Sequence, residues 1–304
     1  MLSRVNPSAN ALSKLHEIVS HSPVGLRIQL SVGQIILHRP RDMLRRTMND
    51  QPSVLLDIDG EVITITLNRP ESLNALDHSM LLEMRRAIDA VAALPLLRVA
   101  ILRGAGRSFC GGGDVVAMHA HRADLPGFID QMIDAFHGCV MALCRLPIPV
   151  IACVQGAVAG GGFSLALACD LVMAVRSARF LAAYPHLGAP ADGGLSFQLV
   201  QRLGAVRGFE ALTLLGSLSA EKALSLGLIN RVVDAETADA QALEWARELV
   251  ALPARAVNEL KQLVAAQSRD ALEVHLAREK SAFLRCAASP DFATRVAAFA
   301  GKQR

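Results

Sequence analysis

The stretch QGAVAGGGFSLALACDLVMA (residues 155–174) carries three consecutive glycines, then an apolar run ending at Asp170, then a second apolar run. It decides the fold because it joins two strand-like segments through a helix-like one. Just upstream, VIACV (150–154) is a continuous apolar run of the length of a buried strand, and LVMAV (171–175) is another. Between them the glycines open a helix whose only polar side chain before Asp170 is Ser164. Strand, glycine turn, helix and strand in that order are the building unit of an α/β core.

Working outward, residues 54–58 and 62–67 read as two strands around the turn signal Asp59-Gly60. Ile63, Ile65 and Leu67 alternate with Thr64 and Thr66, the pattern of a half-buried strand. From Leu76 through Met80, Met84, Ala87, Ile88 and Val91 the apolar period becomes helical. A strand at 98–102, a glycine-rich loop at 104–114 and a helix at 127–145, broken before Pro147 and Pro149, complete the first half. A short strand at 179–181 leads into a loop reaching Gly194, followed by helices at 195–203, 206–216 and 219–226. Ser219 suits the N-cap of the last and Gly227 its stop. After a strand at 229–233 everything reads as helix, ending in an amphipathic piece at 292–299. The expected organisation is a leader at 1–52, an α/β core at 53–240 and a helical region at 241–304.

The 304 residues are 52% hydrophobic and 19% charged, enough apolar surface for a large core and incompatible with wholesale disorder. A net charge of +3 with scattered basic residues, one Trp and one Tyr gives no nucleic-acid surface. None of the six cysteines forms a CxxC pair and most sit in apolar segments, which favours a reducing, cytoplasmic setting. No segment has the roughly 18 uncharged apolar residues of a membrane span, and no metal-ligand spacing is present. The leader is basic and aperiodic and reads as poorly ordered; its Arg and Ser content would suit a transit peptide, but Glu17, Asp42 and Asp50 count against one.

Two glycine clusters, GAGRSFCGGGD (104–114) and GAVAGGG (156–162), each follow an expected strand. Bare backbone at a helix mouth offers unpaired N–H groups and partial positive charge. Two such clusters can aim two donors at one oxygen, an oxyanion hole; two tight turns with close backbone packing are the alternative. Neither matches a nucleotide-binding spacing.

The runs NRPESLNALD (68–77), RSFCGGGDVVAM (107–118), QGAVAGGGFSLALACDLVMA (155–174) and SAEKALSLGLINRVV (219–233) together resemble the crotonase superfamily of enoyl-CoA hydratases and isomerases, from about residue 53 to the C-terminus. The resemblance implies an α/β spiral of ββα units with a C-terminal helical layer that supports trimers or dimers of trimers. It implies an acyl-CoA substrate, fatty acid metabolism as the setting, and no cofactor beyond the CoA moiety. It maps the two oxyanion donors to Gly111 and Gly161 and places Asn74, Ala75, Leu76, Gly112, Gly113 and Val115 along the CoA moiety. Met118, Phe163, Ser164 and Tyr184 fall at the substrate. Where many relatives carry a basic residue near a CoA phosphate, this chain has Glu71-Ser72-Leu73, which leaves Arg69 or Lys302 as candidate substitutes.

Family hydratases use two glutamates. The corresponding positions here are Ser164 and Tyr184, and neither side chain is a useful acid or base near pH 7. The loop LGAPADGGLSF (187–197) resembles instead the segment in which Δ3,Δ2-enoyl-CoA and ring-opening isomerases carry a catalytic aspartate, and that position is Asp192. Its proline, Pro190, stands one residue earlier than in the usual pattern; a turn-forming or capping role is the alternative for Asp192. His186 ranks lower as a proton shuttle, Asp114 and Asp170 read as structural, and Cys110 and Cys169 as buried thiols. The expected function is isomerisation of an unsaturated acyl-CoA with Asp192 as acid/base. The alternatives are a hydratase lacking both glutamates and a non-catalytic acyl-CoA-binding protein.

Overall fold

The computed structural model describes residues 52–302 and, within residues 1–51, only the backbones of three strands: β1 (Ser3–Val5), β2 (Leu26–Ser31) and β3 (Gln34–His38). The reading of the leader as poorly ordered otherwise lies outside the described residues. These strands, which the aperiodic leader gave no reason to expect, extend the edge of the main sheet; β2 runs antiparallel to β4 (Val54–Asp59), with Leu26 opposite Ile58.

β4 and β5 (Val62–Leu67) form the expected hairpin, and Gly60 takes the positive φ (59°) that its turn demands. Helix α1 (His78–Ala92), capped by the Asp77 side chain on the Met80 N–H, leads to β6 (Val99–Gly104). The short α2 (Val115–Ala120) and the long α3 (Leu125–Arg145) follow, then β7 (Val150–Val154), β8 (Ala157–Ala159), α4 (Gly161–Ala168), β9 (Leu171–Val175) and β10 (Arg179–Leu181). Two more helices, α5 (Leu195–Leu203) and α6 (Ala205–Thr213), precede β11 (Ser217–Ser219), α7 (Ala220–Ser225) and β12 (Arg231–Val233). Four helices close the chain: α8 (Ala238–Val250), α9 (Ala254–Ala266), α10 (Arg269–Ala287) and α11 (Pro290–Lys302).

The order β–β–α recurs as β4–β5–α1, β7–β8–α4 and β9–β10–α5. In the last two units one strand enters a nine-stranded sheet and the other a three-stranded sheet of order β11-β10-β8. From β5 through β6, β7, β9 and β12 the large sheet is parallel. Parallel strands need crossovers, and the crossovers carry the helices that cover the sheet.

Both faces of that sheet are buried, which corrects the half-buried reading of β5. Ile63, Ile65 and Leu67 enter the main core with α1, α3 and α4. Val62, Val99, Ile101, Ile151, Met173 and Val233 face the other way, against Ala238, Ala242, Trp245 and Ala246 of α8. Ser219 caps α7 by accepting the Lys222 N–H, and Gly227 stops the segment after it at φ 73°, as expected. At the C-terminus α10 lies on α3, while α11 packs on α2 and on the turn at Tyr184–Leu187. Among the described residues no helix is long and apolar enough to cross a membrane.

Candidate active site

The two glycine clusters meet through a single parallel bridge between Cys110 and Val158. The Cys110 N–H donates to the Ala157 carbonyl and the Ala159 N–H to the Cys110 carbonyl. From this point the two chains run alongside each other. A Cβ on Gly162 would stand 2.4 Å from the Cys110 carbonyl oxygen, and one on Gly112 would stand 3.0 Å from the Ala159 oxygen. Gly160 adopts φ 49° immediately before α4. The glycines are there because two backbones touch and one of them turns sharply.

Three residues beyond the bridge on each chain lie Gly113 and Gly161. Gly113 pairs with Leu76 in a second parallel bridge in which the Leu76 N–H donates to the Gly112 carbonyl and the Asp114 N–H to the Leu76 carbonyl. That pattern turns the N–H of Gly113 itself away from Leu76, and among the described residues it has no acceptor. Gly161 is the first residue of α4, where an N–H has no intrahelical partner; it too has no acceptor among the described residues. The expectation for Gly111 is corrected here, because its N–H donates to the Leu73 carbonyl at 2.8 Å. Within this loop the available donor is Gly113, over which the Met118 methyl lies, 2.8 Å from where a Cβ would be.

Among the residues expected along the substrate, Asn74 also braces this loop. Asn74 is fully buried; its amide donates to the carbonyls of Ala105, Ser108 and Phe109, and its Oδ1 accepts the Arg69 N–H at 2.8 Å. The N–H groups of Asn74, Ala75 and Leu76 all have intramolecular acceptors. Val115 packs in the main core, and Phe163 packs against Phe180 at 5.2 Å. The Arg69 guanidinium bonds Asp77 at 2.9 Å and Asp114 at 3.1 Å, so it is not free for a phosphate; Lys302 is exposed at the end of α11. An open cavity of about 520 Å³ beside α2, lined by Val116, His119, Ala120, Arg122 and Ala300, contains no residue of the Asp192 cluster described next.

That cluster gathers Asp192, the expected proton carrier, with Ser164 and Tyr184, the two positions that correspond to the hydratase glutamates. Ser164, on α4 and 0% exposed, donates through its hydroxyl to the Asp192 carbonyl at 2.8 Å and lies 3.0 Å from the Tyr184 hydroxyl. Tyr184, in its own short turn, donates to Asp192 Oδ1 at 2.5 Å. The Asp192–Gly193 turn is wedged against the α4 mouth: the Phe136 ring is the close neighbour of both Gly161 and Gly193, and Ser164 Cβ abuts Gly193. Asp192 itself is 9% exposed. Burial pushes its carboxyl from 3.8 up to about 7; the Tyr184 hydrogen bond works the other way and the nearby Glu279 charge adds to the rise. Tyr184 is pushed well above its usual range, mainly by burial and then by Asp192, so it stays a hydrogen-bond donor.

The lower-ranked residues fall out plainly. His186 is exposed on the turn. Asp114 caps α2, and Asp170 accepts the Val150 N–H and the buried Lys261 ammonium, each at 2.7 Å. Burial pushes the Cys110 thiol up to about 12 and Cys169 higher still, which leaves both inert. Sequence reasoning missed His137, Ser196, His275 and Glu279, which gather behind the Asp192 turn from α3, α5 and α10. They lie on helices far along the chain, and no local motif marks them.

Comparison with known proteins gives a consistent context. Residues 57–304 match the family model described as Enoyl-CoA hydratase/isomerase. The chain is 34% identical over 252 residues to the 1,2-epoxyphenylacetyl-CoA isomerase of Escherichia coli K12, covering 82% of this chain and 96% of that one. It is 32% identical over 188 residues to the trans-2-decenoyl-[acyl-carrier-protein] isomerase of Streptococcus mutans, covering 62% and 72%. Among solved structures, an enoyl-CoA hydratase from Mycobacterium avium subsp. paratuberculosis superimposes with a TM-score of 0.75 at 31% identity, covering 81% of this chain and 98% of that one.

Proposed function

The chain belongs to the enoyl-CoA hydratase/isomerase family, and within it we propose that this protein moves a double bond along an acyl-CoA thioester with Asp192 as its single proton carrier. The observation that carries this reading is the setting of Asp192: a buried carboxyl with one oxygen held by Tyr184 and no other residue bonded to Oδ2 among the described ones, its proton affinity pushed up to about 7 by that burial. A group with that proton affinity can take a proton and give it back at neutral pH.

In the forward direction Oδ2 removes a proton from C2 of a 3-enoyl thioester. The electron pair of the broken C–H bond moves into the thioester, leaving a dienolate with its negative charge on oxygen. The Gly113 and Gly161 N–H groups stabilise that oxygen; one such donor is worth on the order of 100-fold in rate. Oδ2 then returns the same proton at C4 and the double bond lies between C2 and C3. No water enters and nothing else is consumed. Two-carboxylate hydration lacks support, because its two positions hold hydroxyls tied to each other and to Asp192.

The similarity to a 1,2-epoxyphenylacetyl-CoA isomerase favours a second reading of the same site, ring-opening isomerisation of an epoxide carried on a CoA thioester. The test supplies 3-enoyl-CoA, 2-enoyl-CoA and an arene-epoxide acyl-CoA to the wild type and to Asp192→Asn. Double-bond shift, lost by at least 100-fold in the variant, is the expected result; epoxide conversion alone selects the second reading. Hydration that survives Asp192→Asn, with no shift, overturns both. Thioester binding without turnover of any of the three also overturns them and leaves an acyl-CoA-binding protein.

A further inference from the structure

Behind Asp192 lies a set of polar contacts whose only shared feature is the turn they hold. The Asp192 carbonyl accepts Ser164 from one side. On the other side the Gly193 N–H donates to His137 Nε2 at 3.1 Å, and the Gly194 N–H donates to Glu279 Oε2 at 2.7 Å. Glu279 is 5% exposed and accepts two further bonds, from the Ser196 N–H at 3.2 Å and the Ser196 hydroxyl at 2.5 Å. All three of its partners are donors, so the arrangement fits the ionised carboxylate. The single Ser196 proton goes to Glu279; the 2.7 Å contact between Ser196 Oγ and His275 Nε2 is therefore a donation from the histidine. Burial pushes His137 down to about 4, so its Nε2 remains a bare acceptor throughout the neutral range.

We propose that Glu279 is a positioning residue for proton transfer, holding the Asp192 turn from α10 while His137 holds it from α3. This rests on the reading of Asp192 as the proton carrier. The reason is geometric. A turn of one aspartate and two glycines, Gly193 and Gly194 both at positive φ, is intrinsically loose, and a carboxyl that must meet two carbons in succession tolerates little displacement. Two side chains from separate helices replace the stiffness that the glycines give up. Neither touches Asp192's own carboxyl in the hydrogen-bond network.

Glu279 has a second effect through space. The titratable and charged groups facing the turn are Tyr184 on Oδ1, Glu279 and His275 from α10 and His137 from α3, with Asp134 and Lys280 behind His137. Of these, Glu279 is the one whose charge raises the Asp192 proton affinity. Removing the charge makes Asp192 easier to ionise and moves the rising limb of its rate profile to lower pH.

The experiment measures kcat and KM on a 3-enoyl-CoA between pH 5.5 and 9 for the wild type, Glu279→Gln, Glu279→Asp and Asp192→Asn. Glu279→Gln is expected to lower kcat at pH 7 by about 10-fold, leave KM within about threefold, and move the limb down by roughly one pH unit. Glu279→Asp keeps the charge and stretches the hydrogen bonds: kcat falls and the limb stays. An unmoved limb in a folded Glu279→Gln protein overturns the proposal whatever kcat does, since a merely structural residue gives that result. Should Glu279→Gln not fold, Glu279→Asp decides alone, and a wild-type kcat there overturns it. Failure of the underlying reading looks different: Asp192→Asn then remains active.

Discussion

At the residue scale, two positions that carry glutamates in family hydratases carry hydroxyls here, and the hydroxyls are organised around a third residue. Tyr184 donates to Asp192 Oδ1 and Ser164 donates to the Asp192 carbonyl. The Tyr184 bond favours the ionised carboxylate, and burial opposes it. If the proposed first step uses Asp192 as a base, activity in the 3-to-2 direction should rise with pH through about 7, the value to which its carboxyl is pushed. Tyr184→Phe deletes the stabilising donor, so ionisation becomes harder and the limb should move to higher pH, with kcat at pH 7 down by roughly 10-fold. A kcat–pH profile of the variant checks this, and an unmoved or down-shifted limb contradicts it. Asp192, Ser164 and Tyr184 were each singled out from the sequence, and the fold brings the three together. What linear reading missed was the bonding of the Tyr184 hydroxyl to Asp192 and Ser164, because it spans 8 and 20 residues of chain and depends on α4 and the Tyr184 turn being neighbours.

At the scale of elements, the proposed donor pair is a product of strand register. Cys110 bridges Val158, and three residues later on both chains come the N–H groups of Gly113 and Gly161, which have no acceptor among the described residues. The Gly111 N–H expected as the first donor is taken by the Leu73 carbonyl, which counting along a glycine run does not reveal. The large parallel strands and the helices were readable from apolar runs and periodicity. The three-residue strands β8 and β11 were not: Ala157–Ala159 lies inside a glycine cluster, and Ser217–Ser219 abuts a helix cap. Yet β8 is the strand that carries the bridge. Gly162→Ala tests this element directly, since its Cβ would meet the Cys110 carbonyl at 2.4 Å, a backbone atom that cannot rotate away. The expected outcome is a destabilisation of about 1–3 kcal/mol, read as a lower Tm, together with at least a 10-fold loss of kcat as the two donors separate. Unchanged kcat with an unchanged Tm contradicts the close-contact account.

At the scale of the whole molecule, the helical layer that the sequence placed after residue 240 does two things. Part of it turns inward: α8 seals the second face of the sheet, and α10 delivers Glu279 to the Asp192 turn. Part of it leaves apolar side chains in water. On α9 Leu260, Leu263 and Val264 are exposed, and Val206 and Phe209 on α6, with Leu214 just beyond it, are 85%, 66% and 81% exposed. Single exposed apolar residues are ordinary, but three within nine positions, one of them aromatic, form the kind of patch that a partner surface covers. Burying a large apolar side chain is worth roughly 1.5–3 kcal/mol, so such a patch repeated by symmetry favours contact between identical subunits. We therefore expect a homo-oligomer in solution, with α6 in the contact. Light scattering after size exclusion should give a mass of at least two subunits for the wild type. Replacing Val206 and Phe209 together by glutamate should lower that mass without unfolding the chain, because both side chains are exposed in the subunit. A monomeric wild type, or a double variant with the wild-type mass, rejects α6 as the contact.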